Sequence, residues 1–366
     1  MELYIHIPFC KKKCDYCDFY SIIPSAEYNP VSYFPYLLKE IELASKKYKD
    51  RKISTIFIGG GTPSILSPEQ IKELFKVINQ SFDISGVKEV TIECNPESVN
   101  EDFFKTCKWC GVDRISIGVQ SLSDENLKAV GRLHNKKTAL ECLKLANLYF
   151  SKVSCDIIVG LPFDTTEIVK KEIEELAKYV NHMSCYELML NPETPLYEKY
   201  IHNKINLPND DEVASLFDTA IQTLKNNGFD RYEVSNFGKS HESLHNKGYW
   251  QREEYLGFGP GAHSFIKDKD EIRFENKEDI CTYISKINTA NTYPYQDIEI
   301  LSQTDIKEEE IFLGLRTKEG IPSSYFTKEQ QEKFKDFIQI RGNNIALNDK
   351  GLAVMDSITI DLFPNN

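Results

Sequence analysis

Three cysteines near the start of the chain stand in a C-x-x-x-C-x-x-C spacing, at Cys10, Cys14 and Cys17. Three thiolates can bind three iron atoms of a 4Fe-4S cluster, whereas such clusters normally have four cysteine ligands. The fourth iron would then keep an open position for a reactant, as a catalytic zinc ion does. Cysteine is also common as a small buried side chain, but Lys11–Lys13 and Asp15 make this segment a solvated loop. The spacing therefore predicts an iron–sulfur site that is open for chemistry.

A polar or glycine-rich cluster follows several of the predicted strands. Glycines let the backbone approach a ligand closely, a glutamate suits an ammonium group, and an arginine suits a carboxylate. Each of these residues alone is more often a structural hydrogen bonder or part of a tight turn. The glycine triplet also lacks the Gly-Lys-Ser/Thr ending of a phosphate-binding loop. Their recurrence behind the cysteine loop favours a site for a small zwitterion. The residues are Gly59, Gly60, Gly61, Thr62, Glu93, Gly118, Gln120, Arg132 and Asp156.

The elements that must position these residues alternate between strands and helices. A strand, a loop and a helix recur about six times between Leu3 and Asn227. That alternation predicts an α/β fold with a parallel sheet flanked by helices. Ligands bind such sheets at the carboxyl ends of the strands. The predicted strands are 3–7, 53–58, 89–94, 113–118, 153–159 and 183–190, and the predicted helices are 33–47, 136–150, 165–179, 210–227 and three that begin near Ser67, Asn100 and Ser123.

Changes in the sequence pattern predict three units. Residues 1–230 form the α/β core with the parallel sheet, residues 231–297 are a glycine- and aromatic-rich extension that completes the site, and residues 298–366 form a C-terminal domain. Helices at 303–315 and 323–338, a strand at 344–347 and an amphipathic stretch at 352–363 indicate a small winged-helix-like α+β domain. Such domains often bind DNA, but this one has no evident basic excess. We therefore expect it to cover a protein partner or the substrate.

Composition and charge exclude several classes of protein. The 366 residues carry a net charge of -12, which argues against a nucleic-acid partner. The longest nearly unbroken apolar run, 157–163, is too short to span a bilayer. The N-terminal segment shows no targeting signal. Ten cysteines without a secretory signal indicate a reducing compartment and metal or catalytic use. These features predict a cytoplasmic protein without a transmembrane segment.

The cysteine loop and the strand ends together resemble the radical S-adenosylmethionine (SAM) superfamily. The resemblance covers nearly the whole chain and extends to the family of oxygen-independent coproporphyrinogen III oxidase (HemN) and its relative, the haem chaperone HemW. It implies a partial (β/α)6, TIM-like barrel with a HemN-type C-terminal domain. The stretches that carry the resemblance are 4–10, 58–64, 117–121, 156–162 and 257–262.

The resemblance also implies a set of ligand-binding residues. Cys10, Cys14 and Cys17 would bind the cluster, and its open iron would chelate the amino and carboxylate groups of SAM. An electron from the cluster would then cleave the sulfonium C–S bond and release a 5′-deoxyadenosyl radical, chemistry that belongs to the cofactor. Glu93 suits the methionine ammonium and Arg132 its carboxylate. The implied SAM-binding positions are Tyr4, Tyr16 near the adenine, Gly60, Gly61, Thr62, Glu93, Gln120, Arg132 and, at the ribose hydroxyls, Asp156.

Two positions distinguish the branches of this family. The oxidase has a further cysteine two residues after the third, where this chain has Phe19, and phenylalanine is the pattern of the haem chaperones. The segment 245–250, H-N-K-G-Y-W, resembles the chaperones' haem-binding motif. An imidazole can bind haem iron, so His245 is predicted as a haem ligand. His263, in the glycine-rich loop, is a weaker candidate.

Three hypotheses follow from these positions. The first is a radical SAM haem chaperone that passes haem to apo-haemoproteins, with an electron donor as a further partner and peripheral association with a membrane as a further expectation. The second is an enzyme of porphyrin biosynthesis, a coproporphyrinogen III dehydrogenase that converts two propionates to vinyl groups. The third is a scaffold that has lost radical chemistry and holds no cluster. Phe19 and the His245 motif favour the first and leave enzymatic activity uncertain.

Other motifs are predicted to be structural. The pair Cys107 and Cys110 forms a C-x-x-C at the end of a helix, without the second pair that a zinc site needs. The two sulfurs, at i and i+3, are predicted to face the core. The stretch 257–262 reads G-x-G-x-x-A but is not followed by a helical pattern, so we discount a dinucleotide site. The remaining cysteines lie in apolar periodic segments and are predicted to be buried, namely Cys94, Cys142, Cys155, Cys185 and Cys281.

Overall fold

A twelve-stranded sheet forms the centre of the computed structural model, which describes residues 1–294 and 297–363. A second sheet of three strands lies in the C-terminal part. The strands are β1 (Glu2–Ile7), β2 (Thr55–Gly60), β3 (Glu89–Cys94), β4 (Arg114–Gln120), β5 (Lys152–Val159), β6 (His182–Glu187), β7 (Asp230–Arg231), β8 (Asn236–Gly238), β9 (Tyr255–Phe258), β10 (His263–Lys267), β11 (Glu271–Glu275), β12 (Glu299–Ile300), β13 (Ile321–Pro322), β14 (Ile338–Arg341) and β15 (Asn344–Leu347).

Helices connect these strands and cover the large sheet. They are α1 (Pro30–Tyr48), α2 (Pro68–Ser81), α3 (Glu101–Trp109), α4 (Asp124–Ala129), α5 (Lys136–Ala146), α6 (Thr166–Leu176), α7 (Pro195–Ile201), α8 (Asp210–Asn226), α9 (Leu244–Trp250), α10 (Ile280–Thr289), α11 (Gln303–Gly314), α12 (Lys328–Lys333), α13 (Asp349–Ala353) and α14 (Met355–Leu362). None of the helices in the described part of the chain is long and apolar enough to cross a membrane.

The order of the large sheet is β12-β11-β10-β9-β1-β2-β3-β4-β5-β6-β8-β7. Its middle, from β9 through β6, is parallel, and antiparallel strands extend both ends. Ile5, Ile58, Ile92, Ile117 and Cys155 are fully buried, as expected for parallel strands covered on both faces. The α/β prediction is therefore confirmed, and the carboxyl ends of β1–β6 lie along one edge.

Local signals set several helix ends where the sequence predicts them. Ser67 caps α2 by accepting from the Gln70 backbone N–H while the Gln70 side chain accepts from the Ser67 N–H, and Pro68 occupies the first turn. Such a capping box satisfies two backbone donors that the helix leaves free. Asn100 and Ser123 cap α3 and α4 in the same way at the N3 amide. These caps set the residue at which each helix begins after its strand.

The C-terminal part has its own apolar cluster, around Ile311, Phe326, Ile345 and Ile358. The predicted helix 323–338 is wrong, because only Lys328–Lys333 is α-helical. From residue 338 the sequence alternates Ile-Gln-Ile-Arg, which is a strand period. The strand turns at residue 342 and pairs antiparallel with β15.

Two further predictions about this region differ from the structure or stay open. The amphipathic stretch 352–363 is divided at Val354 into α13 and α14. The predicted boundary at residue 230 falls inside β7, and the following strands β8–β12 continue the large sheet. The division into 1–230, 231–297 and 298–366 stays a prediction. Residues 295–296 and 364–366 of these ranges lie outside the described residues.

Candidate functional site

A cavity of about 400 Å³ opens at the carboxyl ends of the parallel strands. The cysteine loop lines one part of this cavity, and polar residues on and after β2 to β5 line another. The predicted ligand-binding residues that line this cavity are Cys10, Cys14, Tyr16, Cys17, Gly60, Gly61, Thr62, Glu93, Gln120, Arg132 and Asp156. Tyr4 lies instead on the wall of an adjoining second cavity, which also includes Gly60 and Glu93. The structure thus brings the predicted cluster and SAM positions to two neighbouring cavities.

The three cysteines of the loop are free thiols held by the backbone and by two polar side chains. The Thr62 hydroxyl donates to Cys10 Sγ, and Arg132 Nη1 donates to Cys14 Sγ, both at 3.4 Å. Burial raises the pKa of Cys17 to about 11, and the neighbouring Cys14 and Cys10 add to this shift. A deprotonated Cys17 therefore needs a cationic partner such as iron.

The arrangement fits a cluster better than a single ion. In the described part of the chain, no three His, Cys, Asp or Glu side chains converge closely enough to hold one metal ion. A 4Fe-4S cluster keeps its thiolates farther apart, because each thiolate binds a different iron atom. The donor set of three free cysteines on one cavity wall fits such a cluster.

The glycines after β2 allow the loop to pack directly against the strand end. Gly60 has φ of +109°, and a Cβ added there would lie 2.7 Å from the His6 ring. A Cβ on Gly61 would lie 3.0 Å from Cys10 Sγ. Because a real side chain would displace these neighbours, the sequence needs glycine at both positions.

Two carboxylates, Glu93 and Asp156, line the same cavity. Burial, reinforced by the charge of Asp156, raises the pKa of Glu93 to about 8, and burial also raises the pKa of Asp156. Glu93 accepts the Gly60 backbone N–H at 3.3 Å, and Asp156 accepts from Ser116 at 3.4 Å. At neutral pH the Glu93 carboxyl is mostly protonated until a cation approaches. A ligand ammonium group would supply that cation and restore the carboxylate.

Arg132 is held rigidly but keeps one donor free. Its Nη2 donates to the Gly118 carbonyl at 2.7 Å and to Asn95 Oδ1 at 2.8 Å. Its Nε is buried and has no hydrogen-bond partner among the described residues. A buried unsatisfied donor is costly, so this nitrogen suits an anionic ligand group such as a carboxylate.

Sequence reasoning missed the residues that support Arg132. Asn95 follows β3 directly, and its side chain also donates to the Thr62 hydroxyl at 2.9 Å. His134 is buried, with Nε2 on the Val119 carbonyl at 3.0 Å and Nδ1 3.3 Å from Glu97. Asn95 could have been identified from the sequence, because it directly follows a predicted strand. The roles of His134 and Glu97 depend on a chain reversal after α4 that periodicity does not show.

His245 is buried in the structure, on α9, with 2% of its surface exposed. Its Nδ1 lies 2.7 Å from the Thr55 hydroxyl and its Nε2 lies 3.0 Å from the Tyr249 hydroxyl. The ring also stacks on Phe57 at 5.1 Å. The described residues that line the two cavities do not include His245. In this conformation both ring nitrogens are occupied, and its haem-ligand role stays a prediction.

The other cysteines divide as follows. Cys94, Cys107, Cys142, Cys155 and Cys185 are buried, as predicted. Cys110 is half-buried. The prediction for Cys281 is wrong, because it is exposed at the second position of α10. The apolar periodicity of that helix does not reveal which way its first turn faces.

The buried pair of Glu2 and His245 makes stability depend on pH. Burial raises the pKa of Glu2 to about 8 and lowers the pKa of His245 to about 3. Above about pH 7 the histidine is neutral in both folded and unfolded chains. Glu2 is protonated only in the folded chain there, so stability falls as pH rises from about 7 to about 8. We expect Glu2→Gln to flatten this slope by up to about 1.4 kcal/mol per pH unit.

Urea unfolding of the wild type and of Glu2→Gln across that pH interval measures this effect. Glu253→Gln is the control, because Glu253 is exposed in the same region and should leave the slope unchanged. A Glu2→Gln variant with the wild-type slope would contradict the buried-proton explanation.

Comparisons with known proteins agree with this geometry. Residues 4–180 match the Radical SAM superfamily. The chain is 34% identical over 348 residues to "Heme chaperone HemW" of Lactococcus lactis subsp. lactis (strain IL1403), with 94% of this chain and 88% of that protein covered. It is 35% identical over 331 residues to "Heme chaperone HemW" of Bacillus subtilis (strain 168), with 89% and 86% covered.

A mitochondrial relative and one solved structure extend the comparison. "Radical S-adenosyl methionine domain-containing protein 1, mitochondrial" of Danio rerio is 35% identical over 371 residues, with 96% of this chain and 82% of that protein covered. Coproporphyrinogen III oxidase (HemN) from Escherichia coli superposes with a TM-score of 0.85 at 20% identity, covering 100% of this chain and 90% of that chain. At this identity the likeness shows a shared fold.

Proposed function

The chain belongs to the radical SAM superfamily and, within it, to the family of the HemW haem chaperones, and from this membership we propose that it carries haem to apo-haemoproteins. The protein would also bind a 4Fe-4S cluster and SAM. The alternative, a coproporphyrinogen III dehydrogenase, shares the fold but is the less favoured function.

The first cavity supports the cofactor part of the proposal. Cys10, Cys14 and Cys17 would hold the cluster, which when bound supplies an electron for cleavage of the SAM sulfonium bond. Arg132 Nε, buried and without a hydrogen-bond partner in the described structure, would donate to the methionine carboxylate. Glu93 would lose its proton to bind the methionine ammonium. Asp156, held by Ser116, would accept the ribose hydroxyls.

Phe19 is the observation that carries the choice of haem carrier over oxidase. The oxidase pattern has a cysteine at this position. Phe19 is 69% exposed and lines both cavities. A large exposed aromatic ring provides an apolar face for a porphyrin plane. It does not provide the thiol that the oxidase pattern has at this position.

The surface beside the cluster loop supports the remaining partners. Lys11, Lys12 and Lys13 are all exposed at the mouth of the first cavity. Three cations there suit an acidic electron donor, because complementary charge accelerates encounter. Delivery of haem to acceptor proteins in the cytoplasm or at the membrane surface is part of the same proposal.

One assay separates the carrier from the enzyme. We expect the reconstituted protein, incubated without oxygen with coproporphyrinogen III, a reductant and SAM, to form no protoporphyrinogen IX beyond a control without protein. The same preparation should bind haem, as followed by its absorption spectrum. Catalytic formation of protoporphyrinogen IX would overturn the carrier proposal and favour the oxidase.

A further inference from the structure

The second cavity, of about 660 Å³, adjoins the first. Asp18, Phe19, Gly60 and Glu93 line both cavities. Its volume lies within the usual range for sites that bind cofactors. None of the three clustered cysteines lies among the described residues that line it, so it offers space beside the iron–sulfur site rather than within it.

Aromatic side chains form a large part of the wall of the second cavity, beside the acidic residues Asp18, Glu93 and Glu278. Phe19, Tyr249, Tyr255 and Phe265 line it, and Leu313 of α11 closes one side. Tyr249 and Tyr255 pack edge to face with ring centroids 4.7 Å apart. Flat aromatic walls suit a large planar ring, because stacked or edge-to-face contacts add to the burial of apolar area.

The arginines of this cavity are already paired and hold the wall in place. Arg252 donates to Glu271 at 2.5 Å and to Glu309 at 3.0 Å. Arg273 lies 2.8 Å from Glu309, and both guanidinium groups lie over the Phe265 ring at 5.2 and 5.0 Å. These contacts fix α11 and Phe265, and the buried Nε of Arg273 is the donor of this pair that has no hydrogen-bond partner among the described residues.

His263 stands at the rim of this cavity, at the start of β10, with 60% of its side chain exposed. It lies opposite Glu275 of β11, and its Nδ1 is 3.1 Å from Glu275 Oε2. Its Nε2 has no hydrogen-bond partner among the described residues. Histidines that bind metals usually donate their other ring N–H to a carboxylate, which fixes the tautomer and makes the ligating nitrogen more basic.

The second histidine of the cavity lacks this freedom. His6 has Nδ1 3.0 Å from the Tyr4 hydroxyl and Nε2 3.0 Å from the Tyr20 carbonyl. His245, as described above, has both nitrogens occupied and lies outside the cavity. His263 is therefore the histidine that presents a free ring nitrogen to an aromatic cavity.

We propose that haem binds in this second cavity with His263 Nε2 as an axial ligand of its iron and Glu275 as the group that orients the imidazole. The inference rests on the proposed haem-carrier function and names the site that serves it. His263 forms a coordinate bond through its Nε2 lone pair, and its Nδ1–H faces the Glu275 carboxylate as acceptor. Phe19 then contacts the porphyrin at the boundary with the SAM cavity.

Haem titration of the cluster-reconstituted full chain, without oxygen, tests this assignment. We expect His263→Ala to weaken haem binding at least about 10-fold and to remove the histidine-ligated absorption spectrum. Glu275→Gln should keep the ligand but weaken binding about 10-fold or more and lower the iron–histidine stretching frequency in ferrous resonance Raman spectra. His202→Ala is the matched control, since His202 is 59% exposed and lies 3.5 Å from Glu198, and its spectrum should match the wild type.

The outcomes separate this inference from the function on which it rests. A wild-type protein that binds no haem would overturn the proposed function. A wild type that binds haem, with His263→Ala unchanged in affinity and spectrum, would overturn the assignment of His263 alone. Loss of the histidine-ligated spectrum in His245→Ala but not in His263→Ala would assign the ligand to α9 instead. Iron content and SAM affinity of each variant, expected to equal those of the wild type, show that the variants fold.

Discussion

Replacing Cys14 with alanine is expected to leave the reconstituted protein with background iron and no cluster absorption. The remaining Cys10 and Cys17 would hold only two corners of the cluster, and two iron atoms would then lack a protein ligand. Arg132 Nη1 would also lose its sulfur acceptor. Iron and sulfide analysis with the visible absorption spectrum measures the loss.

Cys281→Ala is the control for the cysteine experiment. Cys281 is exposed and could bind adventitious iron, but it lies outside the loop, so the variant should keep the wild-type iron content. If Cys14→Ala retained full iron and absorption, the loop would not hold the cluster, and the scaffold without radical chemistry would become the better account.

Replacing Glu93 with glutamine is expected to weaken SAM binding with no change in iron content. Glutamine keeps an oxygen for the Gly60 N–H and loses only the charge. A hydrogen bond to a charged group contributes about 1.5–3 kcal/mol, which is roughly 10- to 150-fold in Kd. Anaerobic calorimetric titration with SAM measures the difference.

The pH dependence of that titration gives a second readout. The pKa of Glu93 is raised to about 8, so wild-type affinity should increase as pH rises toward about 8 and the carboxylate ionises. Glu93→Gln should lose this dependence. Glu187→Gln, at an exposed carboxylate of the same cavity, should keep both the wild-type Kd and its pH profile. Equal affinity in Glu93→Gln and wild type would remove Glu93 from the ammonium site.

The sequence was sufficient for the parallel sheet and for the polar groups at its edge. Strand–helix alternation and the caps at Ser67 and Asn100 are local signals, and they place Glu93 on β3 and Asp156 on β5, with β4 between these strands. Parallel order then forces these side chains into one cavity. The same reasoning failed for 323–338, where a short helix and a strand of a hairpin share one amphipathic stretch.

The orientation of single side chains could not be predicted in the same way. His245 and Asn246 are neighbours on the first turn of α9, yet only Asn246 lines the first cavity. Which of them faces the cavity depends on how α9 packs on Phe57 and Thr55. These contacts join residues that are separated by about half of the sequence. The pairing of His263 with Glu275 likewise requires the register of β10 with β11, which residue spacing alone does not fix.

Transfer of haem to an acceptor tests the central claim most directly. The haem-loaded protein is mixed without oxygen with an apo b-type haemoprotein, and the acceptor's absorption band is followed over time at several acceptor concentrations. Delivery by a chaperone predicts a transfer rate that increases with acceptor concentration, because the two proteins must meet. A rate that equals the dissociation of haem into an excess of apomyoglobin, and does not change with acceptor concentration, would contradict delivery by this protein.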